Sequence, residues 1–284
     1  MSEAASANAD QIAYWNDQAG RTWVELGELL DRQIEGVGLR GIEALAPRAG
    51  EQILDIGPGG GRTSLLIAER VGPQGRVVGV DISRPMLEIA RRRAKAAGAA
   101  NVAFVESDAQ TYPFPPADFY GAFSRFGVMF FADPTAAFAN ILKALKPGGR
   151  LVFVCWRSLA ENPWMTTPMA AAAGLLPPGP PALPEPGAPG PFAFADADRV
   201  RGILSGAGFS NIALTPVDMP IGGNSLDESL TLALRVGPLG ARLRDNPQMA
   251  GPVREAVRKA LEASLTNGKV WMPGAVWIVT ARRP

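Results

Sequence analysis

The sequence predicts an α/β fold, namely a doubly wound, mostly parallel sheet of seven strands with an N-terminal helical cover and two insertions. Across residues 52–156, short aliphatic runs alternate with segments of helical pattern. Such alternation gives parallel strands joined by right-handed crossovers. The first run ends in a glycine-dense turn, and acidic residues end the second run and follow the third. Because parallel strands end at one edge of the sheet, we expect the turn and the acids to share a ligand site.

The chain begins with a predicted helical cover over residues 1–45. Apolar side chains recur at roughly helical spacing between residues 12 and 45. Tyr14, Trp15 and Trp23 cluster near the start of this segment. These aromatic side chains either dock the cover on the sheet or close over a bound ligand, and the sequence leaves both alternatives open.

Residues 46–156 form the predicted ligand-binding core. Strands are expected at residues 52–56, 76–81, 102–106, 119–124 and 150–155. Gly57, Gly59 and Gly61 follow the first strand, and a helical segment begins directly after them. A strand, glycine turn and helix in this order present backbone N–H groups and a positive helix end to a nucleotide-like ligand.

Two acids narrow the choice of ligand. Asp81 ends the second strand, where a carboxylate can accept hydrogen bonds from both hydroxyls of a ribose, although it could also only cap the next helix. The dinucleotide pattern needs a third glycine where Arg62 stands, which argues against NAD. Asp55, just before the turn, would repel a pyrophosphate and suits a cationic group such as that of an amino acid.

The run Asp55-Ile56-Gly57-Pro58-Gly59-Gly60-Gly61 resembles the glycine motif of class I S-adenosylmethionine (SAM)-dependent methyltransferases. Asp81, Asp108 and a turn at residues 145–149 follow in the family's order. The resemblance covers residues 50–156 well and the remainder loosely, and it is closest to the ubiquinone/menaquinone type. It implies SAM as the cofactor, S-adenosylhomocysteine as the product and methyl transfer to a small acceptor. A SAM-binding protein without methyl transfer and an NAD-dependent oxidoreductase are the alternatives.

The resemblance implies a cofactor site along the strand ends, where Asp108 would approach the adenine amino group. The predicted cofactor-binding residues are Asp55, Gly57, Gly59, Gly61, Asp81, Ile82, Met86, Asp108, Ala109, Ser124 and Arg125. Arg125 would bind the cofactor carboxylate or an acid on the substrate, or else form an outward salt bridge. The predicted substrate-binding residues are Phe126, Met129, Phe130 and Trp164. Their apolar character favours an apolar or aromatic acceptor, although core packing explains it equally well.

Methyl transfer from a sulfonium is an in-line displacement, so alignment and exclusion of water can supply much of the catalysis. The chain has no histidine, which excludes a histidine base and histidine metal ligands, and no metal site is predicted. The catalytic residue is not identified. Tyr14, Asp133 and Glu161 are chemically able to act as a base, but Asp133 precedes a proline and could simply cap a helix.

The composition changes after Trp156. Residues 157–198 contain a proline-rich run at 177–191 and are expected to form a lid over the active site or a surface excursion without function. Residues 199–284 should complete the sheet through a helix and two antiparallel strands, expected at residues 198–208, 212–216 and 275–281. A second insertion at about 225–268, with helices expected at 226–236 and 251–265, would shape a substrate pocket or a dimer contact.

Composition limits the partners. The net charge of +1 gives no general field that would attract nucleic acid or a membrane surface. The single cysteine, Cys155, excludes an intramolecular disulfide and is expected in a buried strand. No apolar stretch reaches the ~18 residues of a membrane span, and the N-terminus lacks the pattern of a secretory signal. A cytoplasmic protein that binds a small-molecule acceptor, as a monomer or a homodimer, is expected.

Overall fold

A computed structural model of the protein describes residues 8–177 and 187–284, and it contains one central sheet. The strands are β1 (Gln52–Ile56), β2 (Arg76–Asp81), β3 (Val102–Glu106), β4 (Phe119–Arg125), β5 (Leu145–Trp156), β6 (Ser210–Asn224), β7 (Leu265–Thr266) and β8 (Lys269–Arg282). Seven of them are hydrogen-bonded in the order β3-β2-β1-β4-β5-β8-β6, and the short β7 pairs with β8 as an eighth strand. The first five run parallel, and β8 is antiparallel to β5 and β6. The predicted fold class is confirmed.

The chain order reverses between β1 and β4, so the sheet has its switch point there. Four successive residues of β1, from Ile53 to Ile56, are buried, as expected for a central parallel strand covered on both faces. In an open α/β sheet, ligands bind outside the carboxyl ends of the strands at this point. The fold therefore places the glycine turn after β1 at the expected binding position.

Helices cover both faces and the carboxyl edge of the sheet. They are α1 (Ala9–Asn16), α2 (Gln18–Glu25), α3 (Gly27–Gln33), α4 (Glu35–Leu45), α5 (Arg62–Val71), α6 (Arg84–Ala96), α7 (Pro134–Ala144), α8 (Pro163–Ala172), α9 (Ala197–Gly206), α10 (Leu226–Arg235), α11 (Gly237–Asp245) and α12 (Ala250–Glu262). The helical prediction for residues 12–45 is confirmed as four short helices, because the backbone turns at Asp17, Leu26 and Ile34.

β6 and β8 are much longer than the segments 212–216 and 275–281 that the sequence predicts. Proline normally interrupts a strand, but β6 lies at the edge of the sheet, where a missing N–H donor is tolerated. Pro220 faces Pro273 across the β6–β8 pair. β5 has already ended at this level, since its last residue pairs with Val276. The extension carries both strands past the sheet toward the expected binding edge.

A second apolar core joins the two predicted insertions. Its buried members come from α8 and the residues just after it, and from α10, α11, α12 and β8. They are Ala172, Leu176, Leu230, Leu239, Leu243, Val253, Val257, Leu261, Val270 and Met272. The predicted helical insertion at 225–268 therefore contains three helices, of which α11 was not expected. Part of the proline-rich run, residues 178–186, lies outside the described residues.

The main core is centred on β5 and α7. Phe138 of α7 is fully buried and packs against Phe153 of β5, with ring centroids 5.4 Å apart. Phe194, from the predicted lid segment, is also buried against this pair. Cys155 is buried as predicted, and burial raises the pKa of its thiol. The end of the 157–198 segment is thus fixed in the core. Among the described residues, no helix has both the length and the apolar character that crossing a bilayer requires.

Candidate functional site

A cavity of about 550 Å³ opens at the carboxyl ends of β1, β2 and β4. One part, called here the glycine-turn half, is lined by Gly57, Pro58, Gly59, Gly60, Asp81, Ile82, Met86, Asp108, Ala109 and Arg125. The other part, called the apolar half, is lined by Phe126, Met129, Phe130, Trp156, Trp164, Met165, Met169, Ile221, Leu232, Leu239, Leu261, Val270 and Met272. Two chemically different surfaces thus meet in one cavity.

The turn after β1 requires glycine for both conformation and space. Gly57 and Gly59 have φ angles of 66° and 54°, which side chains rarely adopt. A β-carbon at residue 57 would lie 2.9 Å from Cα of Gly127, and one at residue 59 would lie 2.7 Å from Cε of Met86. The turn is therefore packed against the chain after β4 on one side and against α6 on the other, and its backbone forms the cavity wall.

Asp55 lies directly beneath this wall and does not line the cavity. Its Oδ2 accepts hydrogen bonds from Oγ1 of Thr63 at 2.9 Å and from Oγ of Ser64 at 2.6 Å. Its Oδ1 is buried and has no partner among the described residues. Burial raises the pKa of Asp55 to about 6, against the opposing effect of the two hydroxyls and of Arg125. The carboxylate stabilises the first turn of α5. Its Oδ1, which has no partner among the described residues, lies under the glycine turn as a hydrogen-bond acceptor.

Gly61 and Ser124 also lie behind the wall. Gly61 directly precedes α5 in a left-handed conformation. The hydroxyl of Ser124 donates to the carbonyl of Ile56 at 2.7 Å and accepts from the amide of Gly127 at 3.1 Å. These contacts join the ends of β1 and β4, so both residues support the turn from behind.

Asp81 lies in the cavity wall at the end of β2. Its Oδ2 accepts from the amide of Gly59 and its Oδ1 from the amide of Ser83, both at 2.9 Å. Burial raises the pKa of Asp81, while these backbone donors act to lower it. A carboxylate oxygen can accept more than one hydrogen bond. Asp81 therefore joins the turn to the start of α6 and still has acceptor capacity toward the cavity.

Asp108 lines the cavity after β3 and is joined to the N-terminal cover. Its Oδ2 accepts from Nδ2 of Asn8 at 2.6 Å, and its Oδ1 accepts from the amide of Gln110 at 2.9 Å. Oδ1 of Asn8 accepts in turn from the amide of Ala132. Asn8 is almost completely buried. No local sequence pattern marks this residue, which lies 100 positions away from its partner.

Arg125 forms a half-buried ion pair at the cavity wall rather than an outward surface salt bridge. Its Nη2 donates to Oδ1 of Asp31 at 2.8 Å, and Oδ2 of Asp31 accepts from Nη1 of Arg93 at 2.7 Å. Asp31 and Arg93 also line the cavity but were not predicted. The three side chains bring α3, α6 and the end of β4 together beside the glycine turn.

All four predicted substrate-binding residues line the cavity. Phe126 has a φ of 64°, an unusual conformation for an aromatic residue. Its ring stacks on Trp156, with centroids 4.2 Å apart and planes 11° apart, and Trp156 in turn contacts Trp164. Phe130 contacts Trp15 of the cover edge to face. The apolar half is therefore walled by aromatic rings from four separate segments.

The three candidate bases have different positions. Tyr14 lines the cavity, although its side chain is more than half exposed. Asp133 does not line the cavity. Its Oδ1 caps α7 by accepting from the amide of Ala136. Glu161 is paired with Arg157 outside the cavity, and hydrogen bonding from Ser158 helps to lower the pKa of its carboxyl. Neither Asp133 nor Glu161 lines the cavity, whereas Tyr14 does.

The ionisable side chains that line the cavity in the described part of the chain are Tyr14, Asp31, Asp81, Arg93, Asp108 and Arg125. They belong to the N-terminal cover or to the sites around the glycine turn. In residues 8–177 and 187–284, no group of three acidic or cysteine side chains is arranged to bind a metal ion. The arrangement suits a polar, partly charged ligand at the turn and an apolar ligand beside it.

Comparison with known sequences finds several methyltransferases. Residues 53–149 match the family model described as a methyltransferase domain. The O-methyltransferase cnsE of Penicillium expansum is 30% identical over 210 residues, covering 72% of this chain and 67% of that protein. The demethylmenaquinone methyltransferase of Thermus thermophilus is 42% identical over 113 residues, covering 40% and 50% respectively. The aklanonic acid methyltransferase DauC of a Streptomyces species is 34% identical over 148 residues, covering 52% and 66%.

The matched part of the chain thus spans about half the length of the Thermus relative and 66% of the Streptomyces relative. Among solved structures, a phosphoethanolamine N-methyltransferase of Haemonchus contortus in complex with SAM has a TM-score of 0.57 at 18% identity, covering 95% of this chain and 59% of that one. The [4+2]-cyclase SpnF has a TM-score of 0.52 at 21% identity, covering 87% and 80%. At these identities the structures show the shared fold alone.

Proposed function

The chain belongs to the class I SAM-dependent methyltransferases, and on that premise we propose that it transfers the methyl group of SAM to a small, apolar or aromatic acceptor. The observation that carries the proposal is that one cavity joins the glycine turn, with Asp81 and Asp108 beside it, to a chamber walled by aromatic and aliphatic side chains. A methyl donor and an apolar acceptor would meet where the two halves join.

The glycine-turn half fits an adenosine that carries an amino-acid tail. Asp81 would accept hydrogen bonds from the ribose hydroxyls, and Asp108 would accept one from the adenine amino group. The uncommitted Oδ1 of Asp55 supplies negative potential beneath the turn for the tail ammonium, and Arg125 offers a positive charge to the tail carboxylate. When bound, SAM supplies an electrophilic methyl group on a positive sulfur. Asp81 and Asp108 at the strand ends would hold and orient the cofactor at the glycine turn.

The apolar half aligns the acceptor and excludes water. Phe126, Trp156 and Trp164 form a continuous aromatic wall that suits a flat or apolar molecule. Two relatives are named for demethylmenaquinone and aklanonic acid, which supports a small-molecule acceptor for this chain. Holding the nucleophile about 3 Å from the methyl carbon is the main contribution that the chain makes to rate. Tyr14 is the remaining candidate for a base.

We also propose that residues 157–198 act as a lid. α8 contributes Trp164, Met165 and Met169 to the cavity wall, while Phe194 anchors the end of the segment in the core. Because α8 lines the cavity and also packs into the second apolar core, the segment would cover a bound acceptor. A cytoplasmic location and a homodimer remain predictions from the sequence.

The proposal is tested by titrating the purified protein with SAM and then incubating it with SAM and a panel of apolar and aromatic acceptors. We expect SAM to bind and S-adenosylhomocysteine to form with at least one acceptor, detected by mass spectrometry. Asp133→Asn and Glu161→Gln should keep this activity because both residues lie outside the cavity. SAM binding without product from any acceptor would favour a SAM-binding protein with another role. Binding of NADH and not of SAM would favour an oxidoreductase.

A further inference from the structure

A cluster of three charged side chains lies between the N-terminal cover and the glycine turn. The carboxylate of Asp31 bridges the guanidinium groups of Arg93 and Arg125. The exposed fractions of the side chains are 19% for Asp31, 26% for Arg93 and 11% for Arg125. All three line the cavity. The cluster is therefore largely shielded from solvent and still accessible to a bound ligand.

The charges of this cluster do not balance. One carboxylate faces two guanidinium groups, which leaves one positive charge without a partner in the cluster. Asp55 is close enough to influence Arg125 by charge, but its hydrogen bonds go to Thr63 and Ser64. A partly buried cation without a full partner favours an anion beside it. The cluster is thus suited to a ligand that brings one carboxylate.

The two arginines are held differently. Nη1 of Arg93 donates to Asp31 and also to the carbonyl of Gly60 at 3.1 Å, so the turn itself holds this side chain. Within the described residues, Arg125 donates only to Asp31, through Nη2. Its stem is backed by α4, because a β-carbon at Gly38 would lie 3.2 Å from Cδ of Arg125. The Nε and Nη1 groups of Arg125 are left with capacity to donate.

We propose that Asp31 is a positioning residue that holds Arg125 ready for the carboxylate of the cofactor's amino-acid tail. This inference rests on the proposed function and adds a residue of the cover to the cofactor site. An unconstrained arginine loses much rotamer freedom when it binds a ligand, and the ion pair with Asp31 removes that freedom in advance. Because Asp31 belongs to α3, tail binding and docking of the cover stabilise each other.

The test compares two ligands that differ only in the tail region. S-adenosylhomocysteine carries the amino-acid tail, whereas 5′-methylthioadenosine has the nucleoside and the sulfur without it. Calorimetric titration should show that Asp31→Ala binds S-adenosylhomocysteine at least about tenfold more weakly than the wild type, the loss expected if Arg125 no longer holds its charged hydrogen bond to the tail. Binding of 5′-methylthioadenosine should change by less than about twofold, which also shows that the variant is folded.

Two further variants make the test specific. Glu35→Ala removes a carboxylate of the adjacent helix α4 that pairs with Arg62 at 2.6 Å, and it should leave both affinities unchanged. The double variant Asp31→Ala with Arg125→Ala should lose no more affinity than Arg125→Ala alone, because the two residues act through one contact.

The outcomes separate the inference from the proposed function. Equal weakening of both ligands by Asp31→Ala would show a general structural role and overturn the inference. Tighter binding of S-adenosylhomocysteine would also overturn it, because Asp31 would then compete with the tail for Arg125. If Asp31→Ala binds both ligands as tightly as the wild-type protein does, the inference is overturned and the proposed function still stands. Failure of the wild-type protein to bind SAM or S-adenosylhomocysteine would overturn both.

Discussion

Replacing Asp55 with Asn should change how the stability of the ligand-free protein depends on pH. The Asp55 carboxyl is fully buried, and one of its oxygens has no partner among the described residues. Burial raises its pKa from 3.8 to about 6, although the hydroxyls of Ser64 and Thr63 and the charge of Arg125 oppose the rise. The folded protein therefore holds a proton at Asp55 in a pH range where the unfolded chain has released it.

The sign follows from linkage between protonation and folding. Since the folded-state pKa is the higher one, the stability that Asp55 contributes is fully present below pH 3.8 and is lost as the pH rises through about 6. A difference of one pKa unit corresponds to about 1.4 kcal/mol, so the total change is about 3 kcal/mol. Of this, about 2 kcal/mol falls between about pH 4.5 and about pH 7.5.

The assay is urea unfolding of the wild-type protein and of Asp55→Asn, monitored by tryptophan fluorescence. It is repeated in steps across this pH range. The quantity of interest is the free energy of unfolding of the wild type minus that of the variant, because contributions of other groups cancel in the difference. We expect this difference to fall by about 2 kcal/mol from the acidic to the neutral end. A difference that stays level would show that Asp55 does not change its protonation state in this range and would refute the reasoning.

Glu51→Gln provides a control of opposite sign. Burial acts to raise the pKa of Glu51, but hydrogen bonds from Arg150 and from the backbone of Arg48 outweigh it and leave this pKa below 4.5. Its contribution to stability is present above the unfolded-state pKa and is lost as the pH falls through the folded-state value. The wild-type minus Glu51→Gln difference should therefore rise slightly with pH near the acidic end and be level at neutral pH.

Two other substitutions test the cavity and the core. Asp81→Ala should weaken binding of S-adenosylhomocysteine by about tenfold or more, because it removes the charged acceptor at the end of β2; binding within about twofold of wild type in a calorimetric titration would mean that Asp81 only joins the turn to α6. Phe138→Ala should lower the free energy of unfolding by about 3–5 kcal/mol, since the ring is fully buried against Phe153. A loss below about 1 kcal/mol in chemical denaturation would contradict this estimate of the core.

The core of the fold could be predicted because its signals are local. The expected strands at 52–56, 76–81 and 102–106 have the same bounds as β1, β2 and β3. Each combines a short aliphatic run with a turn or an acid at its end, and these features depend on neighbours in the chain. Asp81 and Asp108 reach the cavity for the same reason, since parallel strands bring their carboxyl ends to one edge.

Other parts of the site depend on pairs that are far apart in the chain. Asp31 lies 94 positions from Arg125 and 62 from Arg93, and no local pattern marks such a contact. The extension of β6 was missed because Pro216 and Pro220 normally end a strand, and only its edge position makes them acceptable. α11 was missed because Gly237 and Pro238 suggest a turn, whereas Pro238 lies in the first turn of that helix.

The glycine-turn half of the cavity is built mainly from residues with local sequence signals, whereas the apolar half is built mainly from segments that are far apart in the chain. The family model matches residues 53–149, which contain the glycine turn, Asp81 and Asp108. α8, α10, α12 and the extended part of β8 lie outside that range and supply much of the apolar half. They pack into a separate apolar core with its own buried members. Under the proposed function, we therefore expect changes in that second core to alter acceptor choice without disturbing the turn, because most of the apolar half lies outside residues 53–149.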